Sequence, residues 1–89
     1  MEILISHITK RPSGYGHYEI TLYTDNSEMK HVTSNMPLID AMNSDDQDEA
    51  DEATRVAVEL VMEKNGHNVE SVISECGYGG AHYVVNVEE

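Results

Sequence analysis

The residues of this chain best suited to chemistry are nine carboxylates between residues 40 and 63. They are Asp40, Asp45, Asp46, Asp48, Glu49, Asp51, Glu52, Glu59 and Glu63, and one cation, Arg55, lies among them. Carboxylate oxygens bind hard metal ions, and concentrated negative charge attracts basic partners. A calcium loop of the EF-hand type needs a central glycine, which residues 45–52 lack, and their pattern is helical. The segment therefore predicts a basic partner and no specific metal site.

The histidines and the cysteine do not have the spacing of metal ligands. Cys76 is the only cysteine, and the five histidines are isolated from one another: His7, His17, His31, His67 and His82. Zinc sites need several such ligands at short spacing. The glycine-rich segment 77–80 precedes a predicted strand and has no lysine, unlike a phosphate-binding loop. We therefore predict no catalytic residue, no cofactor and no enzyme activity.

The net charge of −12 is concentrated in the second part of the chain. Residues 1–36 carry four acids and three bases, whereas residues 37–89 carry thirteen acids and two bases. A small domain stays soluble with a net charge of about 2–8. Because carboxylates repel phosphates, nucleic acid and anionic lipid are excluded as direct partners. The charge also predicts greater stability at high salt, where self-repulsion is screened.

Length, cysteine content and apolar content predict the number of domains and the cellular compartment. We expect residues 1–89 to form a single α+β domain, because a chain of this length builds one core. One cysteine cannot form an internal disulfide, which favours a cytoplasmic protein, in the host-cell cytoplasm if the chain is viral. No apolar segment approaches about 18 residues, so we expect no membrane span.

Alternating apolar residues predict five strands, over residues 2–9, 17–24, 28–34, 69–74 and 82–87. Turns are predicted at residues 10–14, 25–27 and 77–80. A short helical segment should follow Pro37, with Ser34 or Asn35 as its cap. The expected fold is α+β, a small antiparallel sheet of about five strands (β-β-β-α-β-β) packed by one main acidic helix.

The main helix is predicted over residues 45–65. Ser44 and Gln47 have the spacing of a capping box, and Lys64 and Gly66 are typical of a C-terminal end. A helical projection places one apolar face against the sheet: Ala50, Ala53, Ala57, Leu60 and Val61. Val56 and Met62 project near the opposite, acidic side, with Val58 at its edge. The predicted partner-binding surface comprises Asp45, Asp48, Glu49, Asp51, Glu52, Val56, Glu59, Met62 and Glu63.

In size, acidity and α+β make-up, the chain resembles small inhibitors that viruses direct against host nucleic-acid enzymes. These include uracil-DNA glycosylase inhibitor, anti-restriction proteins and anti-CRISPR proteins, with which it shares no sequence motif. The resemblance implies a phage-encoded anti-defence inhibitor. Such a protein would bind the basic nucleic-acid-binding surface of a host enzyme, as a DNA mimic.

A non-mimic adaptor or inhibitor is the alternative hypothesis. Its binding surface would be a sheet edge or a homodimer contact, and its acids would serve only solubility. Residues 82–87 are the candidate edge strand. Salt distinguishes the two hypotheses, because a complex based on charge weakens strongly as ions screen it.

Overall fold

The computed structural model describes residues 1–77 and 80–88, so Tyr78 and Gly79 of the predicted turn lie outside the described residues. Its elements, in chain order, are β1 (Glu2–Ile5), β2 (His7–Gly14), β3 (His17–Tyr23), β4 (Glu28–Thr33), α1 (Met36–Met42), α2 (Gln47–Lys64), β5 (Asn68–Gly77) and β6 (Gly80–Glu88). The α+β class and the single long helix are therefore confirmed.

The described strands form two antiparallel sheets, with orders β1-β6-β5 and β2-β3-β4, rather than one sheet of about five strands. The predicted first strand is divided at Ser6, where the chain leaves one sheet and enters the other. Ser6 holds this corner, because its N–H and its Oγ both donate to the Tyr23 carbonyl, at 2.9 and 3.2 Å.

The first predicted turn is shorter than expected. Residues 10–14 continue β2, with an irregular register between Pro12 and Gly14, and the turn narrows to Tyr15 and Gly16. Gly16 has a φ of +75°, a left-handed conformation that costs glycine little.

The prediction of residues 82–87 as an edge strand is wrong. They belong to β6, which lies between β1 and β5 and pairs with both. A strand with a neighbour on each side has no free backbone row to offer a partner. The edges of the two described sheets are β1, β5, β2 and β4.

Local polar side chains define where the helices begin. Asn35 caps α1, because its Oδ1 accepts from the Leu38 N–H at 3.1 Å. Asp46 caps α2 and accepts from the N–H groups of Asp48 and Glu49, at 3.0 and 3.4 Å. The capping box predicted for Ser44 is therefore wrong. Ser44 Oγ instead accepts from the Asp46 N–H at 3.1 Å, and the charged carboxylate of Asp46 is the stronger acceptor at a helix start.

The end of α2 agrees with its prediction. Asn65 caps the helix, and its Nδ2 donates to the carbonyls of Val61 and Lys30, at 2.7 and 3.2 Å, which ties α2 to β4. Gly66 follows with a φ of +92°. Lys64 lies in the last turn, where a cation is favourable.

The core lies where α2 meets both sheets and α1. From α2 it receives Ala53, Ala57, Val58, Val61 and Met62. Ile20 and Leu22 come from one sheet, and Val85 and Val87 from the other. Neither helix of the described chain combines the length and the apolarity needed to cross a membrane.

Candidate partner-binding surface

The outward side of α2 carries a line of carboxylates, which we call the acidic stripe and define as Asp48, Glu52, Glu59 and Glu63. At about 100° per residue, these four side chains fall within about 60° of one another around the helix axis. All four are exposed. From the first to the last, the acidic stripe extends about 22 Å along α2.

The carboxylates of the acidic stripe have no salt-bridge partner within the described part of the chain, because Arg55, on the same side of the helix, pairs with Asp51 instead. None of its carboxylates forms a salt bridge or a side-chain hydrogen bond there. Asp48 and Glu52 are four residues apart, as are Glu59 and Glu63, so each pair repels by about 0.2–0.5 kcal/mol. These two repulsive pairs cost the isolated helix stability, whereas the position of Asp48 in the first turn is favourable for an acid.

Val56 lies beside the acidic stripe and is 51% exposed. It is the most exposed large apolar side chain of α2. An apolar group among like charges gains free energy when a partner removes it from water, at roughly 25 cal/mol per Å². Its exposed position beside the acidic side is the one that the helical projection predicts.

Met62 is fully buried, so the prediction that it lies on the partner-binding surface is wrong. Val58, predicted at the border, is fully buried as well. The projection assumed one sheet beneath the helix, whereas α2 contacts α1, β3, β4 and β5. These neighbours cover about half of the helix circumference, because the buried positions from Ala53 to Met62 span about 180° at 3.6 residues per turn.

Asp51 lies at the border between the buried side and the acidic stripe, and the fold itself uses its carboxylate. The Tyr83 hydroxyl of β6 donates to Asp51 Oδ1 at 2.9 Å, and Arg55 Nε lies 3.6 Å from Oδ2. Burial, and next the hydrogen bond to Asp51, raise the pKa of Tyr83 to about 12. The Arg55 cation thus offsets part of the negative charge of Asp51, and a carboxylate that was predicted as a partner-binding residue is held by contacts within the fold.

The two remaining predicted carboxylates lie at the start of α2. Asp45 is exposed in the turn before the helix. Glu49 Oε2 accepts from Ser44 Oγ at 3.2 Å, so this side chain supports the same turn. Asp40 lies on α1 and is also exposed.

The nine carboxylates between residues 40 and 63 do not lie on one continuous helix. The nine carboxylates are shared between α1, the turn and α2, and the acidic stripe has about one charge per 6 Å. A single DNA strand carries one per roughly 3.4 Å. The surface therefore matches nucleic acid in sign and linear form, at a lower density.

The described residues contain no group of three or more histidine, cysteine, aspartate or glutamate side chains arranged to hold a metal ion. His7 stacks against Tyr23 in a tilted geometry, with 5.6 Å between ring centroids. Sequence reasoning missed Tyr83 as the partner of Asp51, because 32 residues separate them and no local pattern joins them.

Comparison of the chain with protein families, with curated proteins and with solved structures finds no match in any of the three.

Proposed function

We propose that this protein is a small acidic inhibitor that binds a basic, nucleic-acid-binding surface of another protein through the acidic stripe and Val56. The stripe supports the proposal, because its four exposed carboxylates repel one another and have no partner among the described residues. Repulsion between like charges in the stripe is unfavourable in the isolated protein and is relieved when a basic partner binds.

The mechanism follows from charge. A nucleic-acid enzyme binds phosphates in a basic groove and releases counterions as it does so. A rod of carboxylates about 22 Å long fits such a groove and releases the same ions. Electrostatic attraction raises the association rate to as much as about 10⁸–10⁹ M⁻¹s⁻¹ at low salt. Desolvation of Val56 then slows dissociation.

The biological setting that we propose is phage anti-defence, with a restriction or CRISPR enzyme in the host cytoplasm as the target. The net charge of −12 in 89 residues supports this setting. Viral inhibitors of nucleic-acid enzymes have that size and acidity. By this proposal the protein occludes the target's groove and catalyses nothing.

The partner is identified by affinity capture from host lysate at about 50 and 500 mM salt, with and without competing DNA. The target is then assayed for inhibition by the variant Asp48→Lys, Glu52→Lys, Glu59→Lys. We expect the variant to bind at least about 100-fold more weakly, because each of three attractive charges becomes repulsive.

The matched control reverses three exposed acids outside α2: Asp40, Glu70 and Glu75. It has the same net charge as the test variant, so we expect it to lose less than about tenfold in affinity. Equal losses in the two variants would show that only total charge matters and would contradict the acidic stripe as the site. A complex that resists both salt and DNA would favour the non-mimic alternative.

A further inference from the structure

The edge of β1 carries a row of backbone groups that β6 leaves free. Met1 and Val87 exchange two backbone hydrogen bonds, at 3.0 and 2.9 Å. Bonded pairs alternate in an antiparallel ladder, so Ile3 and Ile5 bond to β6 in the same way. The N–H and C=O groups of Glu2 and Leu4 therefore point away from the sheet. Among the described residues, neither takes part in a hydrogen bond outside the strand ladder.

Among the residues that the structure describes, the sheet β2-β3-β4 is hydrogen-bonded to the edge of β1 only at the C-terminal end of that strand. At Ser6, the outward N–H donates to the Tyr23 carbonyl of β3 at 2.9 Å. The chain then turns away, and Thr24 and Ser27 close that turn, with the Thr24 N–H donating to the Ser27 carbonyl at 2.9 Å. One backbone hydrogen bond therefore joins the two sheets at Ser6. The next outward-facing residues of β1, Leu4 and Glu2, form none among the described residues.

A cleft of about 670 Å³ occupies the space where the ladder stops. The β1 edge forms one wall, residues 24–29 form the other, and His67, just beyond the end of α2, also lines it. This volume is within the range of roughly 300–1,000 Å³ that is typical of ligand sites. An extended segment lying in it would continue the ladder along Leu4 and Glu2.

The cleft has an excess of negative charge. Three acids, Glu2, Asp25 and Glu28, line it, together with one cation, the Met1 ammonium, which donates to the Val87 carbonyl at 3.0 Å. Glu28 is paired with Lys30 at 3.2 Å, whereas Glu2 and Asp25 have no salt bridge within the described residues. Charge complementarity therefore selects a basic segment, and the net charge of −12 disfavours a second copy of this chain.

We propose that the β1 edge binds an extended, basic peptide segment of a partner protein by strand addition. Backbone hydrogen bonds to Glu2 and Leu4 supply affinity, and lysine or arginine side chains meet Glu2 and Asp25. The acidic stripe on α2 is a separate surface, and the two proposals stand independently.

The probe is a blocked hexapeptide of alternating lysine and valine, at about 1 mM and about 150 mM salt. We expect hydrogen exchange at the amides of Glu2 and Leu4 to slow about tenfold, as for an affinity near 0.1 mM. Two peptides serve as controls: one N-methylated at alternate residues, which removes donors, and one with glutamate in place of lysine. The proposal would be overturned if the probe did not protect the amides of Glu2 and Leu4. It would also be overturned if both control peptides protected them as strongly as the probe does.

Protein variants test the same site. Glu2→Gln with Asp25→Asn should weaken peptide binding about 5–20-fold, because two charges are removed. Asp40→Asn with Glu75→Gln is the matched control and should change it less than about twofold, since these exposed acids lie on α1 and β5 and do not line the cleft. Equal weakening by both double variants would overturn the site. Loss of capture through the acidic stripe, with peptide binding intact, would defeat the proposed function alone.

Leu4→Pro removes one outward donor while leaving the bonds of Ile3 and Ile5 to β6. It should abolish peptide binding, and retained amide dispersion of β6 would show that the sheet persists. The N-methylated peptide tests the same hydrogen bonds without altering the protein. Protection of Glu2 and Leu4 that appears without peptide and grows with protein concentration would show a second copy on this edge and overturn the basic-peptide proposal.

Discussion

The two sides of α2 differ in how far the fold accounts for their residues. The inner side is buried against both sheets and α1, and Met62 is fully excluded from water. The outer side carries the acidic stripe, whose carboxylates have no partner among the described residues. Asp51 lies between the two sides and bonds to Tyr83. Whether an acidic residue of α2 supports the fold or is available for binding depends on the groups that lie next to it. Its residue type alone does not decide this.

The largest expected effect is a difference in unfolding free energy between substitutions of Met62 and Val56. The sequence analysis predicted both residues on the partner-binding surface. Met62→Ala should lower the free energy of unfolding by about 2–5 kcal/mol, because it leaves a cavity among buried side chains. Val56→Ala, at a half-exposed position, should change it by no more than about 0.5 kcal/mol. Urea denaturation of both variants measures the difference. Similar losses would show that α2 does not have the two sides described.

The start of α2 provides the next test. Asp46→Ala should cost about 1 kcal/mol, within a range of 0.5–2, because two helix N–H groups lose their acceptor. Ser44→Ala removes only contacts of the preceding turn and should cost less. Urea denaturation ranks the two variants, and the reverse order would restore Ser44 as the cap.

The bond between Tyr83 and Asp51 is the third test, at the border of the two sides. Tyr83→Phe removes the hydroxyl and should lower the free energy of unfolding by about 0.5–1.5 kcal/mol. Glu52→Gln, one residue from Asp51 but on the acidic stripe, should change it by less than about 0.5 kcal/mol. Thermal or urea unfolding of both variants compares them.

The same bond predicts a pH dependence. The pKa of Tyr83 is raised from 10.0 to about 12 in the folded protein. The folded state therefore holds this proton after the unfolded state has lost it. The contribution is complete below about pH 10 and is lost as the pH rises towards 12. Tyrosinate absorbance of the folded protein should show a component near pH 12 that Tyr83→Phe lacks, and a spectrum unchanged by the substitution would contradict the assignment.

Local sequence patterns predicted the cap of α1 and the end of α2, but they placed the cap of α2 at Ser44 instead of Asp46, and they did not predict the contacts between distant segments. Asn35 and Gly66 were predicted as cap and stop because each acts on neighbouring backbone groups. The corner at Ser6 depends on Tyr23, 17 residues away, and the central place of β6 depends on pairing with β1 across most of the chain. No periodicity of a single segment encodes such pairings.

The candidate site was predictable in part for the same reason. Spacing alone placed the four carboxylates of the acidic stripe on the outward side of the helix, within a predicted set of seven that also included Asp45, Glu49 and Asp51. The extent of the buried side depended on how many elements surround α2, and one sheet was assumed where two sheets and α1 are present. Met62 and Val58 were therefore placed too far outward.

The smallest expected effect is an increase in the free energy of unfolding, whereas the substitutions above lower it. It tests the acidic stripe directly. Glu59→Gln with Glu63→Gln removes one repulsive pair and takes a charge from the last turn of α2, where the helix dipole disfavours anions. We expect this variant to be more stable by about 0.5 kcal/mol at about 20 mM salt, and the gain to shrink by about 500 mM.

Asp51→Ala also removes a negative charge from α2 and should destabilise the protein, because Tyr83 and Arg55 lose their partner. Opposite signs for the two variants in parallel urea titrations would separate acids that hold the fold from acids that weaken it. If neutralising Glu59 and Glu63 instead destabilised the protein by more than about 0.5 kcal/mol, the acidic stripe would serve stability. A basic partner would then no longer be needed to explain it.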